Sequence, residues 1–236
     1  MITRRDFLRF CEASTDAVSL DAGDLSELRD ALVRHATPVG IRLRGSMCAG
    51  CSGSLLNRIA SPAPESADEV LVASLNADVH PTFLALAGGA EREAVRKAYA
   101  GRGYILLVEG GIPVGRGGDA IWAWDYDAKG PYVAFREAVE DLSGHASAVV
   151  CVGTCAAWGG VPSLQPAPAN PTLLKGVGEV TGKTTINIGG CPAKEESVAW
   201  TVVQLLLGRE IPLDPFGRPA ALCNGKAREL ASRLSP

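Results

Sequence analysis

Short apolar runs separated by longer amphipathic segments recur along this chain and restrict it to few architectures. Five runs, each rich in β-branched or other apolar residues, span residues 39–43, 70–75, 105–108, 148–152 and 185–188. Apolar residues recur at helical spacing between or after these runs, at 81–100, 132–142 and 194–208. The alternation predicts an α/β fold with a parallel sheet, because strands that helices cover on both faces are apolar throughout.

The predicted sheet divides the chain into three parts. Residues 1–36 are predicted to form a leader followed by an amphipathic helix at about 24–35, and residues 37–211 the α/β domain. Gly208 is placed to close the last helix of that domain, since glycine is favoured just after a helix. Residues 212–236, which contain proline and glycine, are predicted to form a short C-terminal extension over the domain.

Composition argues against several classes of partner. The net charge is −3 and the pI about 5.7, so we expect no nucleic-acid partner and no polybasic segment for an anionic membrane. Apolar stretches such as 198–207 are much shorter than the ~20 residues that span a bilayer, so we expect no transmembrane segment. Seven cysteines are an odd number for a disulfide-stapled scaffold and favour metal or redox chemistry.

Four cysteines follow predicted strands at the point where each strand ends. Cys48 and Cys51 form a Cys-Ala-Gly-Cys turn after the first strand, Cys155 follows the fourth, and Cys191 follows the fifth. Because open α/β sheets form their binding crevices beyond the carboxyl ends of the strands, we expect these thiols to converge at one edge. Glycines beside them leave room for a bulky inorganic group. Four cysteines suit either a tetrahedral zinc site or an iron–sulfur cluster, and the pattern alone does not choose between them.

The remaining cysteines and one acidic residue have weaker signals. Cys151 lies within a strand and is expected in the core, while Cys11 and Cys223 lack a glycine-rich context, so none of the three is predicted to be a ligand. Glu109 ends the third strand and is either a proton or hydrogen-bonding group in the crevice or a solvated loop acid. The segment Gly182-Lys183-Thr184 lacks the first glycine of a P-loop and precedes a strand, which argues against nucleotide binding.

The N-terminus matches a twin-arginine export pattern at Thr3-Arg4-Arg5-Asp6-Phe7-Leu8-Arg9. An export signal continues into an uncharged apolar segment of ~7–15 residues. Residues 11–34 are instead interrupted by acidic residues, namely Glu12, Asp16, Asp21, Asp24, Glu27 and Asp30. The pattern therefore predicts a degenerate leader and a cytoplasmic protein, with export through the twin-arginine route as the alternative.

Ordered motifs give the chain a resemblance to the small subunit of nickel–iron hydrogenases, from about residue 38 to residue 219. They are Cys48-Ala-Gly-Cys51-Ser52, the segment 74–89 with Asp78-Val79-His80, Val108-Glu109-Gly110-Gly111-Ile112-Pro113, Gly153-Thr154-Cys155-Ala156-Ala157-Trp158-Gly159-Gly160 and Ile186-Asn187-Ile188-Gly189-Gly190-Cys191-Pro192. The resemblance implies that Cys48, Cys51, Cys155 and Cys191 bind a [4Fe–4S] cluster in a flavodoxin-like domain with helices on both faces of its sheet. It also implies a partner large subunit that carries the catalytic nickel–iron centre, with Glu109 near the cluster at the subunit junction.

Two departures from the family pattern refine this expectation. Typical exported members continue into a domain that holds two further clusters, whereas only Cys223 follows residue 219 here and no histidine follows His145. We therefore expect one cluster, which exchanges electrons with an external acceptor or donor protein, as in the short small subunits of cytoplasmic hydrogenases. Oxygen-tolerant members have an additional cysteine where this chain has Gly50, so we expect an ordinary four-cysteine cubane.

Three other functions compete with that of an electron-transfer subunit in a hydrogenase heterodimer. The related cluster subunit of respiratory complex I would serve quinone reduction, but it has two adjacent cysteines in its first motif, and here Ala49 and Gly50 separate them. A hydrogen-sensing regulatory subunit would keep the same ligands. A zinc-binding scaffold would use the same four thiols for one ion.

Overall fold

The computed structural model describes residues 21–33, 40–46, 48, 50–51, 89–115, 122–124, 132–164 and 173–223. The helices in these ranges are α1 (Ala22–Val33), α2 (Gly89–Gly101), α3 (Phe135–His145), α4 (Thr154–Trp158), α5 (Val177–Thr181), α6 (Glu195–Leu206) and α7 (Ala220–Cys223), with a 3₁₀ turn at Val161–Leu164. The strands are β1 (Gly40–Arg44), β2 (Ile105–Glu109), β3 (Ile112–Pro113), β4 (Trp122–Trp124), β5 (Tyr132–Ala134), β6 (Ala148–Val152), β7 (Leu174–Lys175) and β8 (Ile186–Ile188).

The central sheet is parallel, with its described strands in the order β1-β2-β6-β8. Its register aligns the last residues of all four strands, because Arg44 pairs with Glu109, Glu109 with Val152, and Val152 with Ile188. The segments that follow these strands therefore all begin at the same end of the sheet. Two short antiparallel pairs, β3 with β7 and β4 with β5, lie outside this sheet.

Helices cover both faces of the sheet, which confirms the predicted α/β class. On one face, side chains of β2, β6 and β8 pack with Leu28 of α1 and with the apolar side of α6. On the other face, side chains of β1, β2 and β6 pack with α2 and α3. Each inner strand thus buries alternate side chains in two different cores, which explains why its sequence is apolar throughout.

The observed elements differ from the sequence predictions at particular residues. The predicted helix at 132–142 begins only at Phe135, because Tyr132–Ala134 is a strand that pairs with Trp122–Trp124. Its buried residues Phe135, Ala138, Val139 and Leu142 keep the helical spacing that the prediction used. Gly208 follows α6 at a φ of 67°, as predicted for its end. The predicted strand at 70–75 and residues 81–88 of the second predicted helix lie outside the described residues.

The first described helix packs on the α/β domain. Leu28 on α1 is completely buried against the core that α6 also covers. Arg209, just after α6, donates hydrogen bonds to Asp24 at 2.6 Å and to Glu27 at 3.0 Å. None of the helices in the described part of the chain combines the length and apolar character that a membrane span requires.

Candidate metal site

The row of strand ends positions the predicted cysteines. Cys48 and Cys51 follow β1, Cys155 lies in the first turn after β6, and Cys191 follows β8. Hydrogen bonds join the loops of neighbouring strands. The N–H of Gly111, just after β2, donates to the carbonyl of Ser46, just after β1, at 3.1 Å. All four cysteines thus lie in segments that begin at the carboxyl end of the sheet, as the sequence predicts.

Thr154 fixes the distance between the loops that carry Cys155 and Cys191. Its backbone N–H donates to the carbonyl of Gly190 at 2.9 Å, and its hydroxyl lies 3.0 Å from the same carbonyl. The N–H of Gly190 is in turn 3.1 Å from the hydroxyl oxygen. The N–H of Ala193 donates to the Cys51 sulfur at 3.4 Å, which connects this thiol to the loop after β8.

Two glycines make room for sulfur in these loops. A Cβ at Gly153 would lie 2.5 Å from the Cys51 sulfur, and one at Gly160 would lie 2.7 Å from the Cys155 sulfur. Both glycines also adopt positive φ angles, 89° and 72°, which other residues rarely adopt. The backbone therefore approaches each sulfur more closely than any side chain would permit.

The thiols affect one another electrostatically. Burial is the main cause that raises the pKa of Cys51, and the charges of Glu109, Cys155 and Cys48 raise it further. Burial likewise raises the pKa of Cys155, with added contributions from Cys191, Cys48 and Glu109. The four cysteines therefore lie near one another. Thiols in such surroundings are costly to ionise, and a bound cationic centre would offset that cost.

Glu109 is a buried member of this site. Its side chain is 2% exposed, which excludes the solvated loop acid that the sequence left open. Its Oε2 lies 2.5 Å from a terminal nitrogen of Arg42 and 4.0 Å from Nε of Arg44. Sequence reasoning missed both arginines, although charged residues inside a short buried strand are the signal that could have revealed them.

The cysteines predicted to be non-ligands lie elsewhere where the structure describes them. Cys151 is fully buried in the core beneath α3, and burial raises its pKa to about 12. Cys223 ends the short helix α7, and Cys11 lies outside the described residues. Gly182 closes α5 with a φ of 65°, at the end of the sheet opposite the four thiols.

Four thiols at one end of the sheet, two of them against glycines, suit an iron–sulfur cluster in the chemistry of their donor atoms. A single zinc ion would draw its ligand sulfurs to ~2.3 Å from one point. Among the described residues, no three His, Cys, Asp or Glu side chains, the four cysteines included, are placed to hold a single ion. Together, the fold and the site define a parallel α/β protein with a cysteine-rich centre at the carboxyl edge of its sheet.

Comparisons with known proteins identify the family. Residues 48–205 match the family model described as NADH ubiquinone oxidoreductase, 20 Kd subunit. The chain is 32% identical over 238 residues to the periplasmic NiFe hydrogenase small subunit 1 of Nitratidesulfovibrio vulgaris, an alignment that covers 99% of this chain and 71% of that subunit. The chain belongs to the small-subunit family of nickel–iron hydrogenases.

Further relatives agree with this assignment. The periplasmic NiFe hydrogenase small subunit of Solidesulfovibrio fructosivorans is 32% identical over 92% of this chain, which spans 65% of that subunit's length. The solved NiFeSe hydrogenase from Desulfovibrio vulgaris Hildenborough superposes with a TM-score of 0.64 at 31% identity, over 78% of this chain and 69% of that one. These relatives confirm the resemblance that the sequence motifs indicated.

The same relatives contradict the predicted cytoplasmic location, since several are named periplasmic. Part of the basis of that prediction was wrong, because three of the six acidic residues that it counted against the leader belong to a folded helix. Asp24, Glu27 and Asp30 belong to α1, which packs on the domain through Leu28. They therefore say nothing about the apolar character of a signal that precedes this helix.

Proposed function

We propose that this chain is the electron-transfer subunit of a nickel–iron hydrogenase and that Cys48, Cys51, Cys155 and Cys191 hold one [4Fe–4S] cluster. The observation that carries the proposal is that these four cysteines follow strands whose ends are aligned, with Gly153 and Gly160 against two of the sulfurs, in a chain related to hydrogenase small subunits over nearly its whole length. The cluster would supply one-electron transfer between the partner's nickel–iron centre and an external acceptor or donor protein.

The chain's own residues would shape the environment of that electron carrier. The Ala193 N–H donates to the Cys51 sulfur, and hydrogen bonds to ligand sulfurs tune reduction potentials. Gly153 and Gly160 allow the backbone to approach the sulfurs closely. Glu109 would serve as a hydrogen-bonding or proton-carrying group near the subunit junction, held in the buried position that Arg42 provides.

An apolar surface beside the site fits the partner large subunit. We call it the apolar rim and define it as Trp158, Val161, Leu164 and Leu173. Val161 and Leu164 are 68% and 81% exposed, and both lie on the 3₁₀ turn that follows the helix of Cys155. Exposed large apolar side chains next to a functional site are typical of protein interfaces. Contact with the large subunit here would bring its metal centre close to the cluster.

The periplasmic relatives and the Arg4-Arg5 pair support export through the twin-arginine route, together with the large subunit.

One specific observation favours a second function, because the matching family model describes a subunit of NADH ubiquinone oxidoreductase. The Cys-Ala-Gly-Cys spacing and the 32% identity to hydrogenase small subunits favour the hydrogenase.

The proposal is tested on the complex of this chain with its large subunit, purified anaerobically. Under hydrogen, the cluster should be reduced, as seen by electron paramagnetic resonance, and an artificial electron acceptor should be reduced catalytically. Cluster reduction with turnover far below that of energy-conserving hydrogenases would instead identify a hydrogen sensor. A complex that contains zinc without iron or acid-labile sulfide would refute the electron-transfer function.

A further inference from the structure

A buried arginine interrupts the apolar strand that leads to the first two cysteines. Arg42 is 6% exposed, between Ile41 and Leu43, which are 1% exposed and face the opposite core. A guanidinium that is removed from water without compensation costs several kcal/mol. Its burial in a strand of the central sheet therefore indicates a role that hydrophobic packing does not supply.

Arg42 forms an ion pair with the carboxylate that ends the next strand. The register places Arg42 beside Leu107 and Arg44 beside Glu109, so the Glu109 side chain turns back along the sheet to meet the Arg42 guanidinium. Both partners are almost completely buried. The pair is thus screened little by solvent, and its geometry is fixed by the two neighbouring strands that carry it.

The same arginine shares a small cavity with a proposed ligand. Arg42 and Cys51 line one small cavity of about 10 Å³, together with Glu195 and apolar residues of β2, β6 and α6. A cavity of this size is close to the minimum that holds one water molecule. Glu109 itself ends β2 beside Val152, three residues before Cys155. The ion pair is therefore part of the electrostatic surroundings of the thiols.

We propose that Arg42 is a positioning residue of the metal site, which holds Glu109 in place and compensates its negative charge beside the cluster. Adding an electron to the cluster adds negative charge, so an uncompensated carboxylate nearby would oppose reduction. Arg42 would thereby keep the midpoint potential of the cluster higher than Glu109 alone would allow. The inference rests on the proposed function, because it requires the cluster.

The test compares the variants Arg42→Met, Glu109→Gln and the double variant by redox titration of the cluster in the anaerobic complex with the large subunit. Arg42→Met should change the ratio of reduced to oxidised cluster at fixed potential by roughly tenfold, a negative shift of 59 mV for one electron. Glu109→Gln should shift the potential in the opposite direction. The double variant should lie near wild type, because it removes both charges.

Two controls separate this effect from a structural one. Arg42→Lys keeps the charge and should retain a potential close to that of wild type. Arg209→Met removes a guanidinium near the end of α6 that is distant from the cysteines, and it should leave the potential unchanged. Iron and acid-labile sulfide are measured for every variant, so that loss of the cluster is not mistaken for a shifted potential.

Each outcome decides the proposal. An unchanged potential in loaded Arg42→Met, or an equal shift in the single and double variants, would overturn it. If Arg42→Met does not retain the cluster, Glu109→Gln decides: a raised potential supports the proposal and an unchanged one overturns it. A wild-type complex without iron and sulfide would instead refute the proposed function on which this inference rests.

Discussion

At the scale of single residues, Gly153 and Gly160 impose the strictest steric demand on the site. Each has a positive φ, and a Cβ at either position would lie within 2.7 Å of a cysteine sulfur. Either property alone would favour glycine. Together they mean that a substitution would strain the backbone and displace a thiol at the same time.

We predict that Gly153→Ala destabilises the chain by about 1–3 kcal/mol and lowers its cluster content, because the new methyl group collides with the Cys51 sulfur. Iron content and thermal unfolding measure the two effects. Gly144→Ala is the matched control, since Gly144 lies exposed in α3 with no atom near the position of a Cβ. It should stabilise α3 by about 0.5–1 kcal/mol and leave iron unchanged. Full cluster content in Gly153→Ala would contradict this description of the site.

Single residues also show the limits of prediction from sequence. The four cysteines could be placed because each follows a recognisable strand, and parallel strands bring their carboxyl ends to one edge. The Arg42–Glu109 pair could not be placed, because it depends on the neighbouring register of β1 and β2, which no pattern within either strand specifies. The burial of Glu109 follows from the same register.

At the scale of elements, α1 is held on the domain by the buried Leu28 and by the ion pairs of Arg209. The hydrogen bond from Arg209 is the main cause that lowers the pKa of Asp24 below its usual value. Because the folded-state pKa is depressed, the pair stabilises docking at pH values above about 4 and loses this contribution as the pH falls through the lowered pKa.

We therefore predict that α1 undocks more readily in acid, with its protection declining below about pH 4. Hydrogen exchange of residues 22–33, corrected for the intrinsic effect of pH, measures this change. Asp24→Asn should lower protection at neutral pH and weaken the pH dependence. Asp214→Asn is the control, because Asp214 makes a similar pair with Arg218 that does not involve α1. An equal effect in both variants would count against a specific role for Asp24.

Elements differ in how far the sequence determines them. Ala148–Val152 matches the predicted strand at both ends, since its apolar run is bounded by polar and glycine residues. Tyr132–Ala134 was predicted as helix, because its apolar residues extend the helical spacing of α3. Pairing with Trp122–Trp124 decides its conformation instead, and that contact is tertiary.

At the scale of the whole molecule, the apolar rim predicts where the large subunit binds. Replacing Val161 and Leu164 together by Asp should weaken assembly at least tenfold, about 1.4 kcal/mol, because charges would be buried in an apolar interface. Co-purification and a binding titration with the large subunit measure the effect. Lys183→Asp changes an exposed charge at the opposite edge of the sheet and should leave assembly intact. Undiminished assembly of the double variant would place the interface elsewhere.

The leader predicts how the molecule reaches its compartment. Replacing Arg4 and Arg5 by Lys should retain the complex inside the cell, since the twin-arginine route reads this pair. Cell fractionation of the tagged large subunit measures its location. Replacement of Arg9 by Lys is the control and should leave export unchanged. Periplasmic complex in the double variant would show that another signal directs export.

The iron and acid-labile sulfide content of the anaerobically purified complex tests the proposed cluster most directly, when wild type is compared with Cys191→Ala and Cys223→Ala. The contribution of the partner subunit is the same in all three samples. Wild type and Cys223→Ala should each contain about four irons and four sulfides more than assembled Cys191→Ala, in which the cluster is lost. Equal iron and sulfide in Cys191→Ala and wild type, or zinc in their place, would contradict the four-cysteine cluster.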